Sequence, residues 1–431
     1  MKEIIKNIIV DFHQAEIESG FERDLSLPLN SGKVISLIGP RRSGKSYYFL
    51  QLMRQLLKSG IDRKKILFLN FEDERLNFKA TELDLVLQSY QELYPELKLK
   101  ECYLFFDEIQ NIEGWEKFAR RCYDTISKNI FLTGSNANSL SQEIATAMRG
   151  RTLTYEILPL SFKEYLQFKN IQVERTNSAG RGRIKKMFAQ FLQEGGYPEV
   201  ILMPDQLKTP TLQVYFDVMI YRDLIERYKF SNLHVIKYLL KRIASITCSY
   251  LSLNKIYNEL RSQGYKLDKN LLYEIYEASK AVYLSLPVKK FDYSELKSAN
   301  SEKKTYFIDN GLLNAITFKF SRDDGKLLEN LCHIEFRRQK KQVYYFKDQQ
   351  ECDFVLYPED KKPLPIQVCY DLKDPDTYER EIKGLLYACK KMNVKEGLIL
   401  CVYPLPYQKI NGVGVRYIDT LQWCLHNETL N

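Results

Sequence analysis

Apolar residues fall along this chain in two alternating rhythms. Near the N-terminus Ile4, Ile5, Ile8, Ile9 and Phe12 recur at helical spacing, so residues 1–19 read as an amphipathic helix. A short strand is expected at 23–28, before the turn Asn30-Ser31-Gly32. Unbroken apolar runs follow at 33–39, 65–71, 103–107 and 130–133, and helical patterns lie between them at 46–60, 82–94 and 115–126. Strands apolar on both faces, alternating with amphipathic helices, indicate a parallel sheet covered on both sides.

The rhythm changes after Leu160. Residues 161–229 read as mostly helical, interrupted by Gly195-Gly196 and Pro198, with an exposed loop expected over NSAGRGR at 177–183. Helices are expected at 233–248, 252–262 and 268–280, and strand-like runs at 282–291 and 304–309. A helix at 326–339, strands at 343–346, 352–357 and 364–370, a helix at 376–390 and a strand at 397–402 complete the pattern. The changes in pattern divide the chain at about 160, 230 and 300.

Composition narrows the class. With 45% hydrophobic and 28% charged residues the chain is globular and not disordered. No apolar run reaches the ~18–20 residues of a membrane helix, and the N-terminal apolar stretch is too short for a signal peptide. The expected location is the cytoplasm, with no membrane partner. The nine cysteines form no C-x-x-C pair, so a zinc centre is not expected and a reducing compartment fits. The excess of 64 basic over 55 acidic residues, +9, permits phosphorylated ligands or nucleic acid without requiring either.

The chemistry concentrates where the first strand ends. Gly39-Pro40-Arg41-Arg42-Ser43-Gly44-Lys45-Ser46 matches G-x-x-x-x-G-K-[ST], entered by an apolar strand and left by a helix. The glycines let backbone wrap the phosphates, and loop N–H groups and the helix N-terminus supply positive potential. Lys45 is expected to reach the β- and γ-phosphates and Ser46 to ligate Mg²⁺. The strand at 103–107 ends in Asp107-Glu108: Asp107 is the expected Mg²⁺ partner through water, Glu108 the group that polarises the attacking water. After the next strand Asn136, or else Thr133, is placed to orient water or touch the γ-phosphate. Arg149 and Arg151 are candidate arginine fingers acting in trans, equally readable as a solvated pair. No guanine-reading N-K-x-D motif is present, so ATP is the expected nucleotide.

Ordered along nearly the whole chain, GPRRSGKS, LNFEDERL (69–76), FFDEIQNIEGWE (105–116), LTGSN (132–136), RGRT (149–152), LPLSFKEY (158–165), GGYPEV (195–200), YRDLIERY (221–228), YFIDNGL (306–312) and LLEN (327–330) resemble the bacterial and archaeal AAA-type ATPases that carry a C-terminal domain of unknown function. The resemblance implies an α/β fold: a P-loop core over 1–160 with an additional strand between the two phosphate-binding strands, and a helical lid or connector over 161–230. It further implies a winged-helix segment over 231–300 and an α/β domain similar to the restriction-endonuclease, PD-(D/E)xK fold over 301–431. The order of helices and strands in the middle region agrees with a winged helix. Its second helix carries Lys266, Lys269 and Asn270 near its start but also Glu274 and Glu277, which favours packing on protein over reading DNA.

Against the nuclease pattern, Glu329 fits the helix glutamate, Asp353 the aspartate with Glu351 on the same strand face, and Gln367 the third position. The lysine expected at 369 is Cys369, so the site reads as degenerate, with Arg380 or Lys383 as replacements for the missing charge. Three functions stay open at this level. They are an ATP-driven switch within a homo-oligomer or with a DNA or protein partner, an ATP-gated nuclease, and a slow nucleotide-sensing module.

Overall fold

The four apolar runs of the first half form β1 (Val34–Ile38), β2 (Ile66–Asn70), β3 (Tyr103–Asp107) and β4 (Asn129–Gly134), and β5 (Thr152–Glu156) joins them in one parallel sheet. Their order is β2-β3-β4-β1-β5. β4 therefore lies between β1 and β3, and the loops leaving those two strands emerge at the same edge of the sheet. The sequence pattern misses β5, because its residues are half-buried or exposed and show no apolar run. In the computed structural model residues 1–17, 20–135, 148, 150–172, 178–318, 323–357, 362–426 and 430 are described. The chain divides into two compact units, Met1–Ile157 and Leu158–Asn431.

In the first unit Ile5 and Ile9 of the helix Lys2–Gln14 are buried, and this helix packs on the helix Asp84–Leu93. The helix Lys45–Lys58 buries Tyr48, Phe49, Leu52, Met53 and Leu56 against β1 residues Ile35 and Leu37. Segment 23–28 does not pair as a strand. Its backbone is held by a side chain instead: Arg23 N donates to Gln51 Oε1 at 2.9 Å and Gln51 Nε2 donates back to Arg23 O at 3.4 Å. The helix expected at 115–126 is α-helical over Trp115–Arg121 and then widens into a π turn over Cys122–Ile126.

The second unit opens with helices Phe162–Phe168, Ser178–Glu194, Pro198–Ile201 and Asp205–Val218, the last continuing as a π-helical stretch Met219–Glu226. Of the loop expected over 177–183, residue 177 lies outside the described residues and 178–183 are helical. Residues 178–183 form the first turns of a helix that Ile184, Phe188, Phe191 and Leu192 anchor further on, and packing overrides local composition. Helices Leu233–Ser245, Leu253–Ser262 and Lys269–Ala281 follow.

Nine strands form one sheet in this unit: β6 (Ser249–Leu251), β7 (Leu286–Lys290), β8 (Lys303–Tyr306), β9 (Val343–Lys347), β10 (Glu351–Leu356), β11 (Leu364–Cys369), β12 (Glu396–Cys401), β13 (Gln408–Ile410) and β14 (Val413–Asp419), ordered β13-β14-β12-β11-β10-β9-β7-β8-β6. β6, β8 and β7 pair antiparallel, and β7 pairs parallel to β9. β11, β12 and β14 run parallel, with the helix Pro375–Lys391 connecting the first two. β8 stops at Tyr306, short of the expected 309, because Asp309 caps the helix Asn310–Ile316 by accepting from Leu312 N. That helix, Glu295–Asn300, Thr420–His426 and β13 are too short to show a period in the sequence, and β14, seven residues long, also lies outside the expected strands. All nine cysteines are buried and unpaired. Trp115 and Trp423 are buried, Trp423 against the ring of Phe336. Among the described residues no helix is long and apolar enough to cross a membrane.

Candidate nucleotide site

The loop after β1 is held by two glycines that no other residue replaces without strain. A Cβ on Gly39 would lie 2.2 Å from Ile157 O, and Gly44 adopts φ +96° at the start of the helix Lys45–Lys58. No described side chain caps that helix, so its first N–H groups face the loop without a side-chain acceptor. Arg23 is buried against the loop and donates to Ser43 O at 2.8 Å, a contact that links the N-terminal segment to the motif and that spacing does not reveal.

Lys45 is buried with its ammonium 3.2 Å from Gly39 O, 3.1 Å from Pro40 O and 3.4 Å from Glu108 Oε1. Asp107 and Glu108 sit at the end of β3, both buried. Thr133, on the neighbouring β4, donates to Asp107 Oδ1 and accepts from Glu108 N at 2.8 Å. Thr133 thus stands in contact with both acids. Asn136 and Arg149 lie outside the described residues. Gln110, not singled out by any motif, donates through Nε2 to Glu108 Oε2. Arg41 pairs with Glu72 beyond β2. Arg151 is half-buried and pairs with Asp124, an acidic partner 27 positions away in the chain.

Electrostatics separate the two acids. Burial pushes the Asp107 carboxyl up to about 6, with Glu108 adding and the hydroxyls of Ser46 and Thr133 opposing. Burial acts on Glu108 in the same direction, but Lys45, Arg41 and the Gln110 amide outweigh it and hold Glu108 below the usual carboxylate range. Asp107 Oδ2 and Ser43 Oγ are buried without a hydrogen-bond partner. Buried polar atoms are rarely left so. A hydrated Mg²⁺ beside Asp107 and Ser46 would satisfy the first, and a phosphate oxygen the second. One carboxylate and one hydroxyl suffice for a cation that keeps its waters and phosphate ligands.

The C-terminal residues Glu329, Glu351, Asp353 and Gln367 come together as the pattern places them, around an ammonium the pattern does not include. Lys304 on β8 is 1% exposed, and its ammonium lies 2.8 Å from Glu329, 3.0 Å from Glu351 and 3.0 Å from Asp353. Position 369 holds no ammonium, but a strand 65 residues earlier in the chain supplies one. Tyr306 donates to Glu329 at 2.7 Å, Asp353 N donates to Gln367 Oε1 at 2.7 Å, and Gln367 Nε2 donates to Glu381. Arg380, one expected replacement, is engaged with Glu381. Burial and the charge of Asp353 push Glu329 up to about 7 against Lys304 and Tyr306. Among the described residues no group of three or more His, Cys, Asp or Glu side chains is arranged to hold a metal ion.

The parallel sheet and the loop built on it define a protein with a P-loop, AAA-type domain. Residues 31–166 match the family described as AAA domain, and residues 185–323 match a domain of unknown function, DUF8612. The chain is 35% identical over 403 residues to the uncharacterized protein MJ1544 of Methanocaldococcus jannaschii, covering 91% of this chain and 87% of that protein. It is 31% identical to an uncharacterized protein of Haemophilus influenzae, covering 91% and 94%. The chain belongs to the family of these proteins. A solved structure titled "Structure of Drosophila ORC bound to AT-rich DNA and Cdc6" matches at TM-score 0.21 and 13% identity over 72% of this chain and 93% of that chain, too low to inform the comparison.

Proposed function

We propose that this chain binds and hydrolyses Mg-ATP and uses the cycle to reposition the elements that follow its AAA domain. The observation that carries the reading is the buried juxtaposition of Lys45, Glu108 and the unpartnered Asp107 Oδ2 beside the glycine loop. Gly39, Pro40, Arg41, Arg42, Ser43 and Gly44 supply the cradle, and Lys45 exchanges its carbonyl partners for phosphate oxygens. Ser46 and Asp107 hold Mg²⁺, which neutralises phosphate charge when bound. Glu108, kept ionised by Lys45 and Arg41, accepts a proton from water. Arg151, with Arg149, is proposed to act across a homo-oligomer.

The three helices Leu233–Ser245, Leu253–Ser262 and Lys269–Ala281 with β6, β7 and β8 support a winged-helix reading. β8 lies past residue 300 yet pairs with β6 and β7, so this segment is proposed to end with β8. The remainder is proposed as a restriction-endonuclease-like domain whose degenerate site serves docking.

The test is ATP turnover of the full chain in Mg²⁺, with and without single- and double-stranded DNA or RNA, over a range of protein concentration. Turnover that rises per protomer with concentration, and flattens in Arg151→Ala, supports the oligomer. Absence of turnover overturns the hydrolysis reading.

A further inference from the structure

β3 ends at Asp107, and Glu108 turns the chain through a left-handed conformation at φ +50°. The 3-10 turn Ile109–Asn111 follows, closed by Asn111 N donating to Glu108 O at 3.1 Å. This turn folds Gln110 back over the residue two positions before it. Its amide nitrogen donates to Glu108 Oε2. The orientation is chemically determined, because an ionised carboxylate can only accept and must face the NH₂ group. The amide oxygen of Gln110 is thereby turned away from Glu108. It is buried, and no described donor reaches it. An orphaned buried acceptor is costly to leave unmade, and this one belongs to the amide that is hydrogen-bonded to the proposed general base.

We propose that Gln110 is a second acceptor for the attacking water, and this rests on the ATPase reading above. A water molecule has two protons to place. One points to the Glu108 carboxylate and the other to Gln110 Oε1, which leaves an oxygen lone pair free to aim at phosphorus. In the step, the water oxygen bonds to the γ-phosphorus and the bond from that phosphorus to the β,γ-bridging oxygen breaks. ADP leaves, one proton passes to Glu108, and Gln110 remains hydrogen-bonded and chemically unchanged. A Gln110 that served only to tether Glu108 would need its nitrogen alone.

The test uses the full chain as wild type, Gln110→Met, which keeps shape and removes both polar groups, and Gln110→Ala as a second variant. Three quantities are measured: the affinity for a fluorescent ATP analogue, the affinity for ADP with aluminium fluoride and Mg²⁺, which captures the in-line water, and single-turnover hydrolysis. The expected result is analogue affinity within about twofold of wild type, with hydrolysis and aluminium fluoride capture each reduced roughly 10²-fold, the scale of a misplaced reactant. Unchanged hydrolysis, faster hydrolysis, or equal weakening of all three quantities overturns the proposal while wild-type turnover leaves the parent reading standing. A wild type that captures neither nucleotide nor aluminium fluoride overturns the parent reading itself.

Discussion

Thr133 on β4 bonds both acids at the end of β3, donating to Asp107 Oδ1 and accepting from Glu108 N. One hydroxyl therefore sets the position of the proposed Mg²⁺ partner and the backbone of the proposed base. Thr133→Val keeps the shape and removes both bonds, leaving the buried Glu108 N–H without its acceptor. The expected outcome is a loss of about 1–3 kcal/mol in stability and a raised Mg²⁺ requirement for turnover, both largely restored in Thr133→Ser. Denaturant titration and Mg²⁺ dependence of turnover check it. Equal behaviour of the valine and serine variants would remove the hydroxyl from this role.

Lys45→Ala should abolish nucleotide binding or weaken it severely, since no other described ammonium stands inside the loop. Glu108→Gln should bind ATP and lose turnover by roughly 10²–10⁴-fold, the range for a positioned general base. Nucleotide binding measured beside turnover separates the two. A Glu108→Gln chain that turns over at the wild-type rate would dismiss Glu108 as the base.

Lys304 is the resident cation of three carboxylates, and burial opposes its charge less than Glu329, Asp353 and Glu351 favour it. Lys304→Met should destabilise the chain by about 3–5 kcal/mol, because removing one partner leaves buried charge uncompensated. Lys304→Met combined with Glu329→Gln should recover part of that loss, and urea unfolding of both reads it. DNA incubated with the full chain in Mg²⁺ or Mn²⁺, with and without ATP, should stay intact. Cleavage that vanishes in Asp353→Ala would instead establish a nuclease.

His333 is buried against Tyr306, ring centroids 4.3 Å apart, with both ring nitrogens lacking a hydrogen-bond partner. Burial, with Arg337 adding, drives its pKa down to about 3. The unfolded chain takes up this proton near pH 6.5 and the folded chain does not. Stability from neutral His333 is therefore complete above pH 6.5 and drains away as pH falls towards 3, by about 1.4 kcal/mol per pH unit. His333→Phe should flatten the acid limb of the stability profile between these values while leaving stability near pH 8 within about 1 kcal/mol. An unaltered acid limb in that variant would assign the acid sensitivity elsewhere.

The glycine loop after β1 was legible because its chemistry is contiguous: eight consecutive residues carry glycine freedom, an ammonium and a hydroxyl, and flanking strand and helix patterns supply their context. The acids of β3 were legible for the same reason, since an apolar run ending in Asp107-Glu108 announces itself. The place of β4 between β1 and β3 came only through the family resemblance, which implies a strand inserted between the two phosphate-binding strands; no local pattern carries it, because the pairing joins distant segments. β5 stayed hidden because a half-exposed strand need not be apolar. Lys304 illustrates the limit most sharply. Its partners lie 25, 47 and 49 positions downstream on a helix and another strand, and no spacing rule joins them. Gln110 sits two residues from Glu108 in plain view, yet only the left-handed turn at Glu108 directs its nitrogen to the carboxylate and leaves its oxygen bare. Local pattern determined which residue types stand at a strand end. Tertiary packing decided which of them meet, because burial and pairing act between segments that the linear order holds apart.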